Sequence, residues 1–472
     1  MANLLRINRA VIWVILPVLL LFFAGQVFAT DLVSQQAIAK IGAGKSAQQA
    51  AQAVNGTISD SIPGKMTYLI SFPDSLTVSQ ALSTLNGNSN VDTAEANHIM
   101  EFTEIDQVDM VIPDQNDPPL LKGSSPPNFY GHPGYDAIKA DSAHKISEGE
   151  NVVVAIIDNG IDFDHPLFDS VFKDNGYDFV DDDTSAAEDS GSYYGHGTFV
   201  AGIIMRIAPK CKLIPYRAFD EDGSGNVFDI ASAIYRAVSD TAHVLNLSFS
   251  MTTNNAILKN AISAAFDADI SMAAAPGNDS SDVTVYPADY KGVVGVSAID
   301  TLDVISDFSN YGDLIDICAP GEDVYSSLAG DYEWGTWSGT SFSAPMATGV
   351  MALMLSLEPN LDPVRVEEVL QGAAETDLQW GTVVPDDSLY GYGRVDALAA
   401  VSELNKGDVD YSGEINDTDM SYMEQHLYDD GPAPVPLPNV GDLDCSGDVD
   451  LADYQILINY LNYGGPKPTP CE

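Results

Sequence analysis

The sequence predicts an α/β protein whose main body is a three-layer, doubly wound and mostly parallel sheet. A small α+β unit precedes it and a small all-α unit follows. Three observations carry this. From about residue 135 to 402, near-continuous apolar stretches of strand length alternate with helical ones, as a parallel sheet covered on both faces requires. Residues 65–105 hold alternating segments around one helix-like stretch. Residues 407–463 contain one loop pattern twice, 34 residues apart. A chain of 472 residues also exceeds one ordinary core.

In chain order, Arg6 and Arg9 precede an apolar run from Val11 to Ala24, and Val27-Phe28-Ala29 supplies small-residue spacing for cleavage. The run is too short to span a bilayer, so residues 1–29 read as a secretory signal. The remainder reads as secreted and extracellular, without a membrane partner once the signal is gone. No other stretch reads as a membrane span. Residues 30–64, rich in Ala, Gly, Ser and Gln, read as linker or weakly helical. In the 65–105 unit, Met66 to Phe72 alternates like a strand, Val78 to Leu85 is helical in spacing, and Val91 to Phe102 supplies further strand. Residues 106–134, dense in Pro, Asp and Asn, read as a connecting segment. Expected strands of the main body are Val152–Ile157, Lys212–Tyr216, Val244–Leu247, Ile270–Ala275 and Val293–Val296. Expected helices are Phe228–Val238, Ala256–Phe266 and the apolar Met346–Leu357. A tail at 464–472 ends the chain.

Twenty basic residues face 69 acidic ones, a net charge of −49. Such a surface repels nucleic acid and anionic membranes. It suits calcium, cationic substrates or a saline habitat, and composition does not separate these. Four cysteines are too few for a disulfide scaffold. Cys211 and Cys318 lie in apolar surroundings and read as buried thiols, Cys445 and Cys471 bracket the last segment, which one bridge between them would close, and the sequence settles no pairing.

Four polar residues of the main body stand out. Asp158 ends an apolar strand, where a carboxylate must accept hydrogen bonds. His196 stands between glycines in Gly195-His196-Gly197-Thr198, ahead of an apolar segment. Asn278 follows Ala275-Pro276-Gly277. Ser341, in Gly339-Thr340-Ser341-Phe342-Ser343-Ala344-Pro345, falls at the first turn of a helix, whose unpaired N–H groups favour negative charge. Each motif alone has a structural explanation. Together they resemble the subtilisin-like serine proteases over roughly residues 135–402, and the order Asp, His, Ser is that family's known one.

The resemblance implies a subtilisin-like fold and hydrolysis of peptide bonds. Ser341 is then the nucleophile, His196 its base, Asp158 the group that holds the imidazole, and Asn278 an oxyanion donor. It further implies that Gly223, Ser224 and Gly225 on one side, and Ser248, Phe249 and Ser250 on the other, clasp an extended polypeptide substrate. Ser250 and Met251 stand where many relatives carry glycine, so the primary pocket is left unassigned. Residues 66–102 resemble the family's propeptide, a ferredoxin-like inhibitor, through Tyr68 to Phe72 and Ala94-Glu95-Ala96-Asn97. Activation then needs a cut between Phe102 and Pro126, a span in which no residue marks the site.

In the C-terminal repeat, side-chain oxygens occupy loop positions one, three, five, nine and twelve, with glycine at six. A hard cation takes six to eight oxygens in such a wrap, so the loops read as Ca2+ sites. The first set is Asp408, Asp410, Ser412, Asn416 and Asp419, the second Asp442, Asp444, Ser446, Asp450 and Asp453, with backbone carbonyls from Glu414 and Asp448. Asp220-Glu221-Asp222-Gly223 starts alike but has Phe228 and Ala231 at positions nine and twelve, so it reads as a loop only. The repeats resemble a type I dockerin, which implies a cohesin-bearing scaffold protein as partner. The loop-end pairs Asp417-Thr418 and Leu451-Ala452 do not match each other, and a calcium-stabilised spacer stays equally open. The acidic stretch Asp181 to Asp183 with Glu188 and Asp189 is either solvated surface or a further calcium site. Two functions remain: an exported serine endopeptidase with a calcium-dependent tail, or a silent calcium-dependent binding protein on a protease scaffold. The intact set of four favours the first.

Overall fold

The computed structural model describes residues 32–102, 127–330, 334–378, 381–382, 387–428, 431–435 and 437–469. The signal expected at 1–29 lies outside them, as does most of the connecting segment. The N-terminal unit is larger than expected. Strand β1 (Leu32–Ile41), helix α1 (Ala47–Ala53), strands β2 (Thr57–Ile62) and β3 (Thr67–Ser71), helix α2 (Val78–Asn86) and strand β4 (Val91–Glu101) form a βαββαβ unit with strand order β2-β3-β1-β4. Residues 30–64 are therefore not a linker, because β1 is a central strand, antiparallel to both β3 and β4. Its period is hard to read because small Ala37 and Ala39, with Ile41, face the unit's own core while Ile38 faces the next domain, and Gln35 and Gln36 break the apolar run.

The main body is a seven-stranded sheet. In chain order its strands are β5 (Val153–Asp158), β6 (Tyr177–Asp178), β7 (Lys212–Arg217), β9 (Val244–Leu247), β10 (Ser271–Ala274), β11 (Val293–Ile299) and β12 (Ile317–Pro320). Strand β8 (Ser224–Asn226) lies outside this sheet. The spatial order is β12-β11-β10-β9-β5-β7-β6, with every pairing parallel. Alternate residues of β5 point to opposite faces, as strand geometry demands. Val154 and Ile156 join the core with helices α3 (His196–Ile207), α6 (Thr340–Leu357), α7 (Pro363–Ala373) and α8 (Ala397–Leu404). Ala155 and Ile157 join the opposite core with α4 (Val227–Ser239) and α5 (Ala256–Phe266). These are the expected three layers. By length and composition α6 could cross a membrane, contrary to the expectation that no stretch beyond the signal could. It is buried along nearly its whole length, so it is a core helix of the layer on the Val154 and Ile156 face.

The N-terminal unit is fastened to the second core by its last strand. Glu95 of β4 accepts from Ala256 N (2.7 Å) and buried Asn97 accepts from Phe228 N (3.0 Å), so one strand satisfies donors at the first turns of both α5 and α4.

Helix α8 runs with no linker into the C-terminal module, whose helices α9 (Asp417–Tyr428) and α10 (Leu451–Tyr463) enclose Val409, Met423 and Leu457. The module rests on the main body: the Tyr411 hydroxyl donates to Ser142 O, Lys145 Nζ lies 4.5 Å from the Tyr411 ring, and Lys467 pairs with Glu358 at 2.8 Å. Cys445 is disulfide-bonded and Cys211 and Cys318 are free and buried, while Cys471 lies outside the described residues.

Candidate active site and calcium loops

In the sheet, β5 lies between β9 and β7, where the strand order reverses, and its carboxyl end is the place such a sheet offers a ligand. Asp158 is the last residue of β5 and buried; its Oδ1 accepts from Asn159 N at 2.9 Å and lies 2.7 Å from His196 Nδ1. His196 is the first residue of α3 and 0% exposed. The cap residue Gly195 has no side chain, so groups from elsewhere satisfy the helix end. Asn159 Oδ1 accepts from Gly197 N at 3.0 Å, and Glu188 accepts from Thr198 N at 3.2 Å and Thr198 Oγ1 at 2.8 Å. Burial pushes the Glu188 carboxyl up to about 8.

Ser341 is the second residue of α6. Pro345 has no N–H to give the carbonyl four residues before it, which is that of Ser341. The Ser248 hydroxyl supplies the missing donor at 2.8 Å, and Ser341 Oγ donates to Ser248 O at 3.1 Å. The Ser248 hydroxyl is thus committed to Ser341, and the expected clasp, which is by main-chain hydrogen bonds, does not call on it. Phe249 is likewise a core residue, 5.1 Å from the Phe219 ring, and Ser250 lies in the loop beyond β9. Asn278 Oδ1 accepts from Thr340 N at 2.9 Å, which brings this amide beside the first turn of α6.

The edge expected to clasp substrate holds the chain's own N-terminal unit. Strand β8 pairs antiparallel with β4, Met100 opposite Gly225 and Glu101 opposite Ser224, and Phe102 N donates to Gly223 O at 3.0 Å. The Phe102 ring stacks on His196 at 4.2 Å and on Phe219 at 4.5 Å. A Cβ on Gly223, at φ +76°, would meet Tyr193 at 2.6 Å and Phe102 at 2.8 Å, so glycine keeps this slot open. Phe219, Tyr193 and Asn159 were not singled out from the sequence, and Glu188 was named only with the acidic stretch. Pro345, four residues after the serine, was the one signal in the sequence of an outside donor.

Each calcium loop gathers three carboxylates, Asp408, Asp410 and Asp419 in the first and Asp442, Asp444 and Asp453 in the second, with oxygens within 4.8 Å of one another. Ser412 and Ser446 donate to Glu414 O and Asp448 O at 3.1 and 3.2 Å, so hydroxyl and carbonyl of positions five and seven adjoin. Asn416 and Asp450, the ninth loop residues, also cap the following helices: their oxygens accept from Thr418 N and Ala452 N at 2.9 and 2.7 Å, at the starts of α9 and α10. The carboxylate clusters, without a basic ion partner among the described residues, fit a hard divalent cation. The acidic stretch before His196 is solvated surface, as one of the two readings expected: Asp181, Asp182, Asp183 and Asp189 are all exposed. Asp181 and Asp189 pair with the guanidinium of Arg217 at 2.8 and 3.1 Å.

A parallel sheet that carries an acid, a buried imidazole and a helix-borne serine at its switch point defines a protein of the subtilisin fold. The chain belongs to the subtilase family, whose model matches residues 149–393. Residues 25–97 match the fervidolysin N-terminal prodomain and residues 406–462 the dockerin type I domain. A thermophilic serine proteinase of Bacillus sp. (strain AK1) is 35% identical over 59% of this chain and 66% of its own length. Subtilisin of Bacillus pumilus is 32% identical over 57% of this chain and 97% of its own. Fervidolysin from Fervidobacterium pennivorans, described as a keratinolytic enzyme related to subtilisin, superimposes with TM-score 0.67 at 24% identity, covering 79% of this chain and 61% of that one. The chain thus spans less than two thirds of fervidolysin's length.

Proposed function

We propose that this chain is a secreted serine endopeptidase, made as a precursor whose own N-terminal unit fills the cleft. Ser341 Oγ attacks a peptide carbonyl and gives its proton to His196 Nε2; Asp158 holds Nδ1–H and steadies the imidazolium. The Asn278 amide and the Ser341 backbone N–H face the oxyanion. In subtilisin itself, loss of such an amide costs roughly a hundred- to thousandfold in turnover. The observation that carries this proposal is the 2.7 Å contact between buried Asp158 and His196 Nδ1, which fixes the tautomer a base needs. A fluorophosphonate probe tests it: the processed protein takes the label and Ser341→Ala does not. Folded, processed protein that stays unlabelled overturns it.

The C-terminal module is proposed to bind one Ca2+ per loop and to dock on a cohesin-bearing scaffold. Asp408, Asp410 and Asp419, with their counterparts in the second loop, would hold the ion, which organises the loop and takes no part in hydrolysis. Capture by immobilised cohesin that survives a chelator, or no capture at all, overturns docking.

A further inference from the structure

We infer that Asn159 is a positioning residue for peptide cleavage: its side-chain amide locks the backbone on both sides of His196 and so sets where the imidazole points. The inference rests on the peptidase proposal above. Asn159 follows Asp158 at the end of β5 and is 1% exposed. Its Oδ1 accepts from Gly197 N at 3.0 Å, and its Nδ2 donates to Tyr193 O at 2.8 Å. Tyr193 O also accepts from His196 N at 3.0 Å. One amide therefore closes a ring of hydrogen bonds around the residue that carries the base.

The need for such a lock follows from the start of α3. Its cap, Gly195, stands at φ +99° and has no side chain to serve the first donors of the helix, so the local sequence leaves the position of His196 undetermined. A hydrogen bond at Nδ1 fixes one atom of the ring, but not the Cα from which the ring swings. Asn159 fixes that Cα and steadies the other partner as well, because its own N–H donates to Asp158 Oδ1 at 2.9 Å, the oxygen that lies 2.7 Å from Nδ1. Acid and base are thus tied to one residue between them. The packing is close: a Cβ on Gly197 would collide with Gly160 O and lie 3.2 Å from both Asn159 Oδ1 and Asp158 Cβ.

The chemistry of the side chain matters as much as its place. Asn offers an acceptor to Gly197 N and a donor to Tyr193 O from one planar group, whereas an ionised Asp offers acceptors alone and Leu offers neither. Neither Tyr193 O nor Gly197 N belongs to β8, the edge that would hold a peptide, so the amide acts on the base and not on bound substrate. An ångström of misplacement at a reacting group costs on the order of a hundredfold in rate.

Asn159→Asp and Asn159→Leu test the inference on the processed enzyme. Both should lower kcat roughly ten- to hundredfold and leave KM within about twofold, and fluorophosphonate labelling of Ser341 should slow by the same factor as kcat. A second reading needs no turnover. In the full-length Ser341→Ala precursor, the far-downfield proton resonance of His196 Nδ1–H on Asp158 should be sharp with Asn159 and exchange-broadened in both variants, while circular dichroism stays that of the parent. Should Asn159→Leu not fold, Asn159→Asp, which keeps the size and the acceptor for Gly197 N, decides alone. A folded variant with the parent's kcat, or one whose KM rises while kcat holds, overturns this inference and leaves the peptidase proposal standing. If the parent enzyme neither cuts peptide nor takes the label, the peptidase proposal fails, and an unaltered resonance in the variants then sinks the lock separately.

Discussion

Two acid-rich regions of this chain look alike in the sequence and are neutralised by different means. Around Arg217, at the end of β7, Asp178 and Asp181 lie 2.8 Å from one guanidinium nitrogen, and Asp189 and Glu221 lie 3.1 and 3.4 Å from the other. The guanidinium is 1% exposed and Asp178 4%, so part of this cluster is out of water. The six carboxylates of the C-terminal loops have no Lys, Arg or His ion partner among the described residues. One region carries its cation on a neighbouring strand, while the other must take it from solution. Acidic composition alone therefore does not say where calcium goes; the presence of a buried basic side chain within reach does.

The hardest blow to this contrast is removal of the internal cation. Arg217→Met leaves Asp178 buried beside three other acids, and stranding a buried partner in this way costs about 3–5 kcal/mol. Urea unfolding of the inactive Ser341→Ala precursor should show a loss of that size, and millimolar calcium should not restore it. Full restoration by calcium would make the cluster a cation site in disguise and erase the distinction.

Calcium removal is the complementary test and a smaller effect. Asp419 accepts from Val409 N at 2.8 Å and Asn416 N at 2.8 Å, so it joins both ends of its loop and needs its charge compensated. Calcium at a hundredfold excess over its dissociation constant contributes about 2.7 kcal/mol. A chelator, or Asp419→Asn, should lower the module's melting temperature and leave the transition of the main body nearly unmoved. A main body that melts with the module would refute the separation of the two regions.

Glu188 shows a third route, neutralisation by a proton. Its carboxyl sits against Thr198 with no ion pair among the described residues, and burial raises its pKa to about 8. A carboxyl raised in the folded state adds stability below its unfolded pKa and loses it as pH rises toward the folded value. The window is therefore about pH 4.5 to 8, and roughly 2 kcal/mol should disappear between pH 6 and 8. Glu188→Gln should flatten that slope in calorimetry. An unchanged slope would mean the carboxyl is already ionised at pH 6.

These cases mark what the sequence makes legible. Strand β5 and the buried Asp158 at its end are readable because an apolar run and its polar stop are contiguous. The calcium loops are readable because all their donors lie within twelve residues and recur. Arg217 is not: its partner Asp178 is 39 residues away and becomes its neighbour only when β6 pairs with β7. Nothing local to Phe219 or Tyr193 says that Phe102 will arrive between them. Strand β1 fails for a different reason, because its two faces meet two different cores and its buried side chains are small.

The finest test lies within the module itself. The fourth loop residue has φ +60° in both copies, yet it is Tyr411 in the first and disulfide-bonded Cys445 in the second. Tyr411 turns the first loop into a seat on the main body through Ser142 and Lys145. A partly exposed cation over an aromatic ring is worth about 0.5–1 kcal/mol. Tyr411→Ala and Lys145→Ala should each weaken the module's attachment by that amount, and the double variant by no more than the larger single loss. Hydrogen exchange at 142–146 reads this directly, with calcium present throughout. If exchange there is the same with and without Tyr411, the two loops are energetically equivalent, and the first repeat is as free as the second to meet a partner.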